Sequence, residues 1–559
     1  MNYNYFVPYG MPLIVQNFGF FTPEALQNFK NDQGLECDLR ELVYIQSYYR
    51  ARAHRDPSLD ELKFLDAVIS HRKTPLSRFV IEKLDSDSVA AGESFDDAAK
   101  KLSELGHVAP FSLADIASVA DEYLDRAGKR TATPGIFGKC ADQAELEFYF
   151  KGCAPVAMPE TDLSRCVIGK PVRPPRKIFP VSANDVFVII FGRNDADSAD
   201  VGERLARLLY HPEITDHIRK VSSVGEGAIF DYLTSAAEGF YADAVSLPPV
   251  TYEYDPLAGL FAGRENCVVT AVSGHMLPYV SEIASGLELT VAPFGHPLKE
   301  KRISVRYGGA FPLEFEPAFI SDLPPSCPVS AEILVGEAEK TAHSSGSRYT
   351  DELVFASSSC VGSSVREVTD SIVAAVSPLV AAGVRFTDIS VSFDCKLPLG
   401  STDRAVQGNA LSLLLGKYRA QAELCLRSEG NRYTCSSGDP SICTFARAAR
   451  PKKKGDSATD HIGSLYLVAA RRRSDGLLDF ESLRELYGYV ASLIEKDQAT
   501  SVTALGCDAL DTQLEGLTIE LPSPDNVPNE LKKCAVGAFI IESEAEIHGL
   551  LLKRKDFSI

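Results

Sequence analysis

Glycine spacing is the first place to look for phosphate chemistry. Gly225-Glu226-Gly227-Ala228 has the close glycines of a turn that offers backbone amides to an anion, but it lacks the third glycine of a dinucleotide fingerprint, and Glu226 would repel a phosphate there. No segment matches G-x-x-x-x-G-K-[ST], so neither a P-loop nor a Rossmann nucleotide site is expected. The absence of a G-x-S-x-G elbow and of H-E-x-x-H leaves a serine hydrolase without its nucleophile and a zinc peptidase without its ligands. The 13 cysteines include no C-x-x-C pair, and Cys140, Cys153 and Cys166 are too far apart to chelate a metal from one loop. Reduced, mostly buried thiols in a cytoplasmic protein are the expectation.

A net charge of -19 argues against a nucleic-acid partner, because such binding draws on clustered Lys and Arg. The one basic run, Lys452 to Lys454, sits among Pro, Gly and Ser and reads as a solvated loop tip. No apolar run approaches the roughly twenty residues that span a bilayer, so no membrane segment is expected. At 559 residues, 45% of them apolar, the chain should fold as several domains.

The elements that would position any site follow from periodicity. Ser58 and Glu61 have the spacing of a reciprocal helix cap, and the apolar residues after them predict a helix in a mostly helical first eighty residues. The run 185–191 is short, β-branched and aromatic, which predicts a buried strand. Helices are predicted over 201–209, 213–221, 229–237 and 277–285, and strands over 266–272 and 287–292. The C-terminal third repeats the order, with strands at 464–470, 517–521 and 536–541 and a helix at 480–495. Between the copies, 365–382 and 410–426 read as helices whose leucines pack a core.

Leu35-Glu36-Cys37-Asp38-Leu39-Arg40-Glu41-Leu42, followed by Tyr48-Tyr49-Arg50 and Arg55-Asp56-Pro57-Ser58, resembles the linker region of the single-chain formylglycinamidine ribonucleotide synthetases, the PurL family. Residues 167–192, Leu208-Leu209-Tyr210-His211-Pro212-Glu213-Ile214-Thr215, Val224-Gly225-Glu226-Gly227 and Arg264-Glu265-Asn266, read in order, resemble one C-terminal synthetase half. Gly416-Lys417-Tyr418-Arg419-Ala420-Gln421-Ala422-Glu423-Leu424, then 462–470 and Asp479-Phe480-Glu481-Ser482-Leu483, resemble the second module.

The resemblance implies an α+β fold of tandem PurM/AIR-synthase-like modules, mixed sheets with packed helices, preceded by a small helical linker domain. The expected divisions are 1–83 for the linker, 84–175 and 176–325 for the first module, and 326–445 and 446–559 for the second, with both N-terminal halves shortened. It further implies an internal pseudodimer of the two modules. In the family, ATP and magnesium activate the formamide oxygen of formylglycinamide ribonucleotide, and ammonia from a glutaminase domain displaces the phosphate.

The departures from the family pattern are as informative. A D-H-C-R-H signature is reduced to Ser70-His71-Arg72-Lys73-Thr74-Pro75; an imidazole beside a guanidinium suits proton transfer and a phosphate fork, and equally suits an exposed helix end. An E-T-H-N segment with its glycine run is reduced to Glu160-Thr161-Asp162, which supplies too few oxygens for octahedral magnesium. G-G-K-D-S becomes Gly430-Asn431-Arg432-Tyr433-Thr434, so Tyr removes an anionic oxygen and Arg keeps only the positive charge.

His71 and Arg72 are therefore the candidate catalytic remnants, and Gly225, Gly227, Glu265, Gly430 and Arg432 the candidate nucleotide or substrate contacts, with no metal ligands. The glutaminase domain is expected to be absent. The expected protein is a cytoplasmic PurL-like member of de novo purine biosynthesis that has lost catalysis and bound cofactor, a scaffold or regulatory remnant. Its partners would be a separate glutaminase or a full-length synthetase. The alternative is an active ATP-dependent carbon-nitrogen ligase subunit that uses ATP and magnesium with ammonia from a separate glutaminase.

Overall fold

Ser58 and Glu61 form the cap that their spacing predicts: the Glu61 N–H donates to Ser58 Oγ at 3.1 Å and the Ser58 N–H to Glu61 Oε2 at 2.8 Å. The helix they open, Leu59–His71, buries Leu62, Phe64, Leu65, Val68 and Ile69. The computed structural model describes residues 12–71, 76–127, 137–140, 155–156, 166–169, 177, 179–192, 198–223, 228–248, 256–262, 264, 267–306, 311–323, 325, 327–333, 341–344, 348–349, 353–362, 364–399, 403–428, 431–435, 438–449, 451, 463–521 and 527–554. The chain divides into two compact units, each discontinuous in sequence.

One unit gathers residues 1–74, 141–152 and 171–325. Its helices Pro23–Gln33, Leu39–Tyr48 and Leu59–His71 share a core with a seven-stranded sheet. The strand order is Leu313–Phe315, Ile303–Arg306, Phe240–Asp243, Leu289–Pro297, Asp185–Gly192, Cys267–Ser273 and Ser222–Ser223. Every pair is antiparallel except Ile303–Arg306 with Phe240–Asp243. The strand Asp185–Gly192 is apolar without alternation because both its faces are covered. Phe187 and Ile189 join the core that holds Phe64, while Val188 and Ile190 meet Leu205 of the helix Ser198–Leu209 and Val280 of the helix Leu277–Gly286. Phe64 stacks on Phe315 with ring centroids 5.1 Å apart, which ties the N-terminal helices to the sheet.

The other unit gathers residues 75–140, 153–170 and 326–559. Phe79–Ser86 runs parallel to Cys327–Ile333. A second sheet is ordered Thr341–Ser344, Leu353–Val361, Ser441–Ala449, Ser390–Leu397 and Arg427–Ser428, with Arg432–Cys435 also paired to Ser390–Leu397. Helices Val365–Ala381 and Arg404–Leu424 cover one of its faces, and Val89–Leu105 and Leu113–Arg126 pack behind them. A five-stranded sheet, Ser501–Ala504, Ala538–Ser543, Ser464–Ala469, Leu550–Arg554 and Ile519–Glu520, carries the helix Phe480–Glu495 on one face and Leu510–Gly516 on the other.

Two element expectations change. Residues 213–221 hold only the 3-10 turn Thr215–His217, because Ile218 bridges to Val272 and the Arg219 N–H donates to Ala271 O at 2.9 Å; the sheet edge takes the backbone groups a helix would have used. Residues 517–521 pair only at Ile519–Glu520, since the chain leaves its helix through Thr518 in the left-handed region, φ 56°. Ser501–Ala504 and Leu550–Arg554 are strands beyond those predicted. Among the described residues no helix is long and apolar enough to cross a membrane.

Candidate functional site

His71 ends the helix Leu59–His71, while Arg72, Gly225, Gly227, Glu265 and Gly430 lie outside the described residues, as does Glu160-Thr161-Asp162. Of the candidates, Arg432 is the one whose side chain is placed against others. Its strand puts it directly opposite Asp394.

Arg432 Nη1 stands 4.0 Å from Asp394 Oδ2, with the guanidinium half exposed and the carboxylate only 5% exposed. Asp394 Oδ1 accepts no hydrogen bond. Burial pushes this carboxyl above the usual range, against the pull of Arg432 and Lys396. Such an oxygen can accept from an N–H or O–H, but two neighbouring cations oppose a divalent metal.

Tyr433, next along the strand, turns to the opposite face as alternation requires. There it meets Lys417, which is 1% exposed on the helix Arg404–Leu424. Lys417 Nζ donates to Ala117 O at 2.8 Å and to Gln421 Oε1 at 2.7 Å, and lies 5.0 Å from the ring centroid of Phe393 and 5.8 Å from that of Tyr433. Burial lowers its pKa, and Asp121 and Cys395 counter this. The chain of polar contacts continues outward: Gln421 Nε2 reaches Asp121 at 3.4 Å, Asp121 accepts the Ser428 N–H at 3.0 Å, and Asn431 Nδ2 donates to Ser428 Oγ at 2.6 Å. Asn431, just before the strand that carries Arg432 and Tyr433, is thus tied to a polar network behind it.

A second cluster lies in the same unit around Asp370, on the helix Val365–Ala381. Arg472 Nη1 donates to both its oxygens, at 3.1 and 3.0 Å, and to Gly476 O at 2.9 Å. Arg472 Nη2 donates to Val536 O at 3.2 Å, and Cys534 Sγ lies 3.7 Å from Asp370 Oδ2. Arg366 adds a contact at 3.9 Å and reaches Glu530 at 3.0 Å. The buried thiols Cys360 and Cys507 feel the same carboxylate; burial first, then Glu367 and Asp370, pushes Cys360 up to about 12, and burial first, then Cys534 and Asp370, pushes Cys507 well above its ordinary value. Acid and thiols together would suit a metal, but the cation at Asp370 is a guanidinium. Among the described residues no group of three or more His, Cys, Asp and Glu side chains is arranged to hold a metal ion.

The first unit repeats this solution. Asp185, at the start of its strand, takes a bidentate contact from Arg219 at 2.8 and 2.9 Å and the Ser182 N–H at 2.8 Å. Burial alone would raise its pKa, yet the Arg219 contact and the Ser182 amide hold it below the ordinary value.

Sequence reasoning did not reach Asp370, Asp394 or Arg472, and it met Lys417 only within the stretch that resembles the second module, without a role for it. Two signals were available: a lone Asp among the apolar residues of 365–381, and a lone Lys inside the leucine-rich 410–426. Each is a charge where helical periodicity places a core.

No protein-family profile and no curated protein matches the chain. Solved structures do. Thermotoga maritima PurL complexed with FGAR superposes with a TM-score of 0.57 at 10% identity, covering 92% of this chain and 99% of that one. The same protein complexed with ATP gives 0.55 at 12%, with the same coverage. Phosphoribosylformylglycinamidine synthase II from Thermotoga maritima gives 0.55 at 11%, again over 92% and 99%. At this identity the likeness establishes the fold: mixed sheets with packed helices in the PurM-like arrangement of PurL, the α+β class expected from the sequence.

Proposed function

We propose that this chain is a PurL-like protein of de novo purine biosynthesis that keeps the synthetase fold without the ligase chemistry and serves as a scaffold or regulatory partner. The observation that carries this reading is the state of Asp370, whose two oxygens are both engaged by Arg472. Phosphoryl transfer relies on charge neutralisation by metal-held phosphate, and the metal needs free carboxylate oxygens. Asp185 is likewise spent on Arg219, and Asp394 faces Arg432 and Lys396.

In this reading residues 84–175 and 176–325 are the halves of one module and 326–445 and 446–559 those of the other. The parallel pairing of Phe79–Ser86 with Cys327–Ile333, strands from near the start of each module, supports an internal pseudodimer. The partners are a separate glutaminase or a full-length synthetase. Nucleic acid and membrane are not partners, and the protein works in the cytoplasm.

The test uses the full chain with formylglycinamide ribonucleotide, ATP, magnesium and ammonium, the last supplied directly so that no glutaminase is needed. No amidine product forms above background, and ATP with magnesium leaves the melting temperature unchanged, since a ligand bound only by the folded state would raise it. Turnover that His71→Ala abolishes would instead establish an active ligase subunit.

A further inference from the structure

Two histidines stand ring to ring at one end of the seven-stranded sheet. His217 closes the 3-10 turn Thr215–His217, and His275 is the middle residue of the 3-10 turn Gly274–Met276, which follows the strand Cys267–Ser273. Their ring centroids are 5.3 Å apart and their planes cross at 89°. The backbone beneath them is pinned. Ile218 bridges to Val272, and Arg219 Nη2 donates to Ser273 Oγ at 2.9 Å while it also holds Asp185. The Gly274 N–H donates to Asn184 O at 2.9 Å, so close an approach that a Cβ on residue 274 would stand 2.7 Å from that oxygen. A second rung joins the same two segments: Tyr279, four residues after His275, donates its hydroxyl proton to Glu213, four residues before His217.

The rings themselves are open. His217 is half-buried and His275 exposed, and among the described residues no ring nitrogen of either makes a hydrogen bond or ion pair. Two imidazoles that share one tetrahedral ion, each nitrogen about 2.0–2.1 Å from it, place their ring centroids roughly 5 Å apart. The observed spacing meets this, so the two rings can close on one ion by side-chain rotation while the backbone stays in place. We infer that His217 and His275 form a binding site for a divalent transition ion of the zinc type. Neutral imidazole suits zinc, copper and nickel, whereas magnesium and calcium take oxygen donors. Glu213 and Asp216 put negative charge on the same segment, and the cation that follows, Arg219, is already spent on Asp185. Among the described residues no third His, Cys, Asp or Glu joins the pair, so water fills the remaining positions of an open, exchangeable site. An ion there would clip the segment 213–217 to the end of the strand Cys267–Ser273 and favour the folded state.

The inference is independent of the proposed function. Its test is calorimetric titration of the full chain, first stripped with a chelator, with zinc as probe and magnesium as control, the melting temperature being followed in parallel. Zinc is expected to bind the pair with a Kd of roughly 1–100 µM and to raise the melting temperature, and magnesium to do neither. His217→Ala and His275→Ala, both on surface turns, are each expected to weaken that binding at least about tenfold and to abolish the rise. His211→Ala, which removes a neighbouring histidine outside the pair, leaves both intact. Zinc held by cysteines instead would bind all three variants alike. That result, a loss in only one of the two paired variants, equal binding of magnesium, or no zinc binding below about 1 mM overturns the assignment.

Discussion

Asp370 and Asp394 belong to the same compact unit and are both buried, yet they meet opposite fates. Asp370 sits on a helix beside a loop that returns an arginine to it, so both oxygens are paired. Asp394 sits on a strand whose neighbour carries Arg432 in register, but that side chain is half exposed, 4.0 Å away, and leaves Oδ1 unpartnered. The lesson is that a buried charge is secured by what encloses it more than by what stands next to it in the ladder. A guanidinium that is itself 5% exposed, as Arg472 is, cannot be replaced by water when it leaves.

The comparison breaks most sharply at Arg472. Arg472→Leu strands Asp370 in the core and is expected to lower the unfolding free energy by about 3–5 kcal/mol in urea titration, with much of it regained in the double variant that adds Asp370→Leu. A loss below about 1 kcal/mol in the single variant would mean that Arg366 and Cys534 suffice for Asp370.

Asp394→Asn should move the other way, raising stability by about 1 kcal/mol near neutral pH, because it removes a buried charge with an orphan oxygen. The sign of the pH dependence follows from the raised folded pKa. The carboxyl favours the folded state below its ordinary value near 3.8 and loses that contribution as pH rises through the folded value. The advantage of the Asn variant therefore grows from about pH 4 to about pH 7, and an advantage that shrinks over that range would show Arg432 to dominate after all.

The smallest effect belongs to Arg432→Ala. An exposed partner at this distance is worth roughly 0–1 kcal/mol, and the urea midpoint should barely shift.

Legibility from the sequence followed the range of the interactions. The helix Phe480–Glu495 lies within the residues its periodicity predicts, and the reciprocal cap at Ser58 and Glu61 needs only four adjacent residues. The run at 213–221 misled because its apolar spacing suits a helix, while the edge of a strand fifty residues later claims its backbone. Asp370 with Arg472, and Lys417 with Ala117, join positions too distant for any local pattern to connect. Most of the candidate contacts named from family resemblance fall outside the described residues, so the site that can be read is the one periodicity hid.

The parallel pairing of Phe79–Ser86 with Cys327–Ile333 has a consequence during synthesis. At roughly 5–20 residues per second, the first strand leaves the ribosome tens of seconds or so before its partner exists. Through that interval the helices Val89–Leu105 and Leu113–Arg126 have only each other and residues 76–86 to set their apolar faces against, because Arg404–Leu424 is still untranslated. The nascent chain must carry this surface past every other nascent chain nearby, and a holdase chaperone that waits on residues 79–126 would do more for its yield than any gain in final stability.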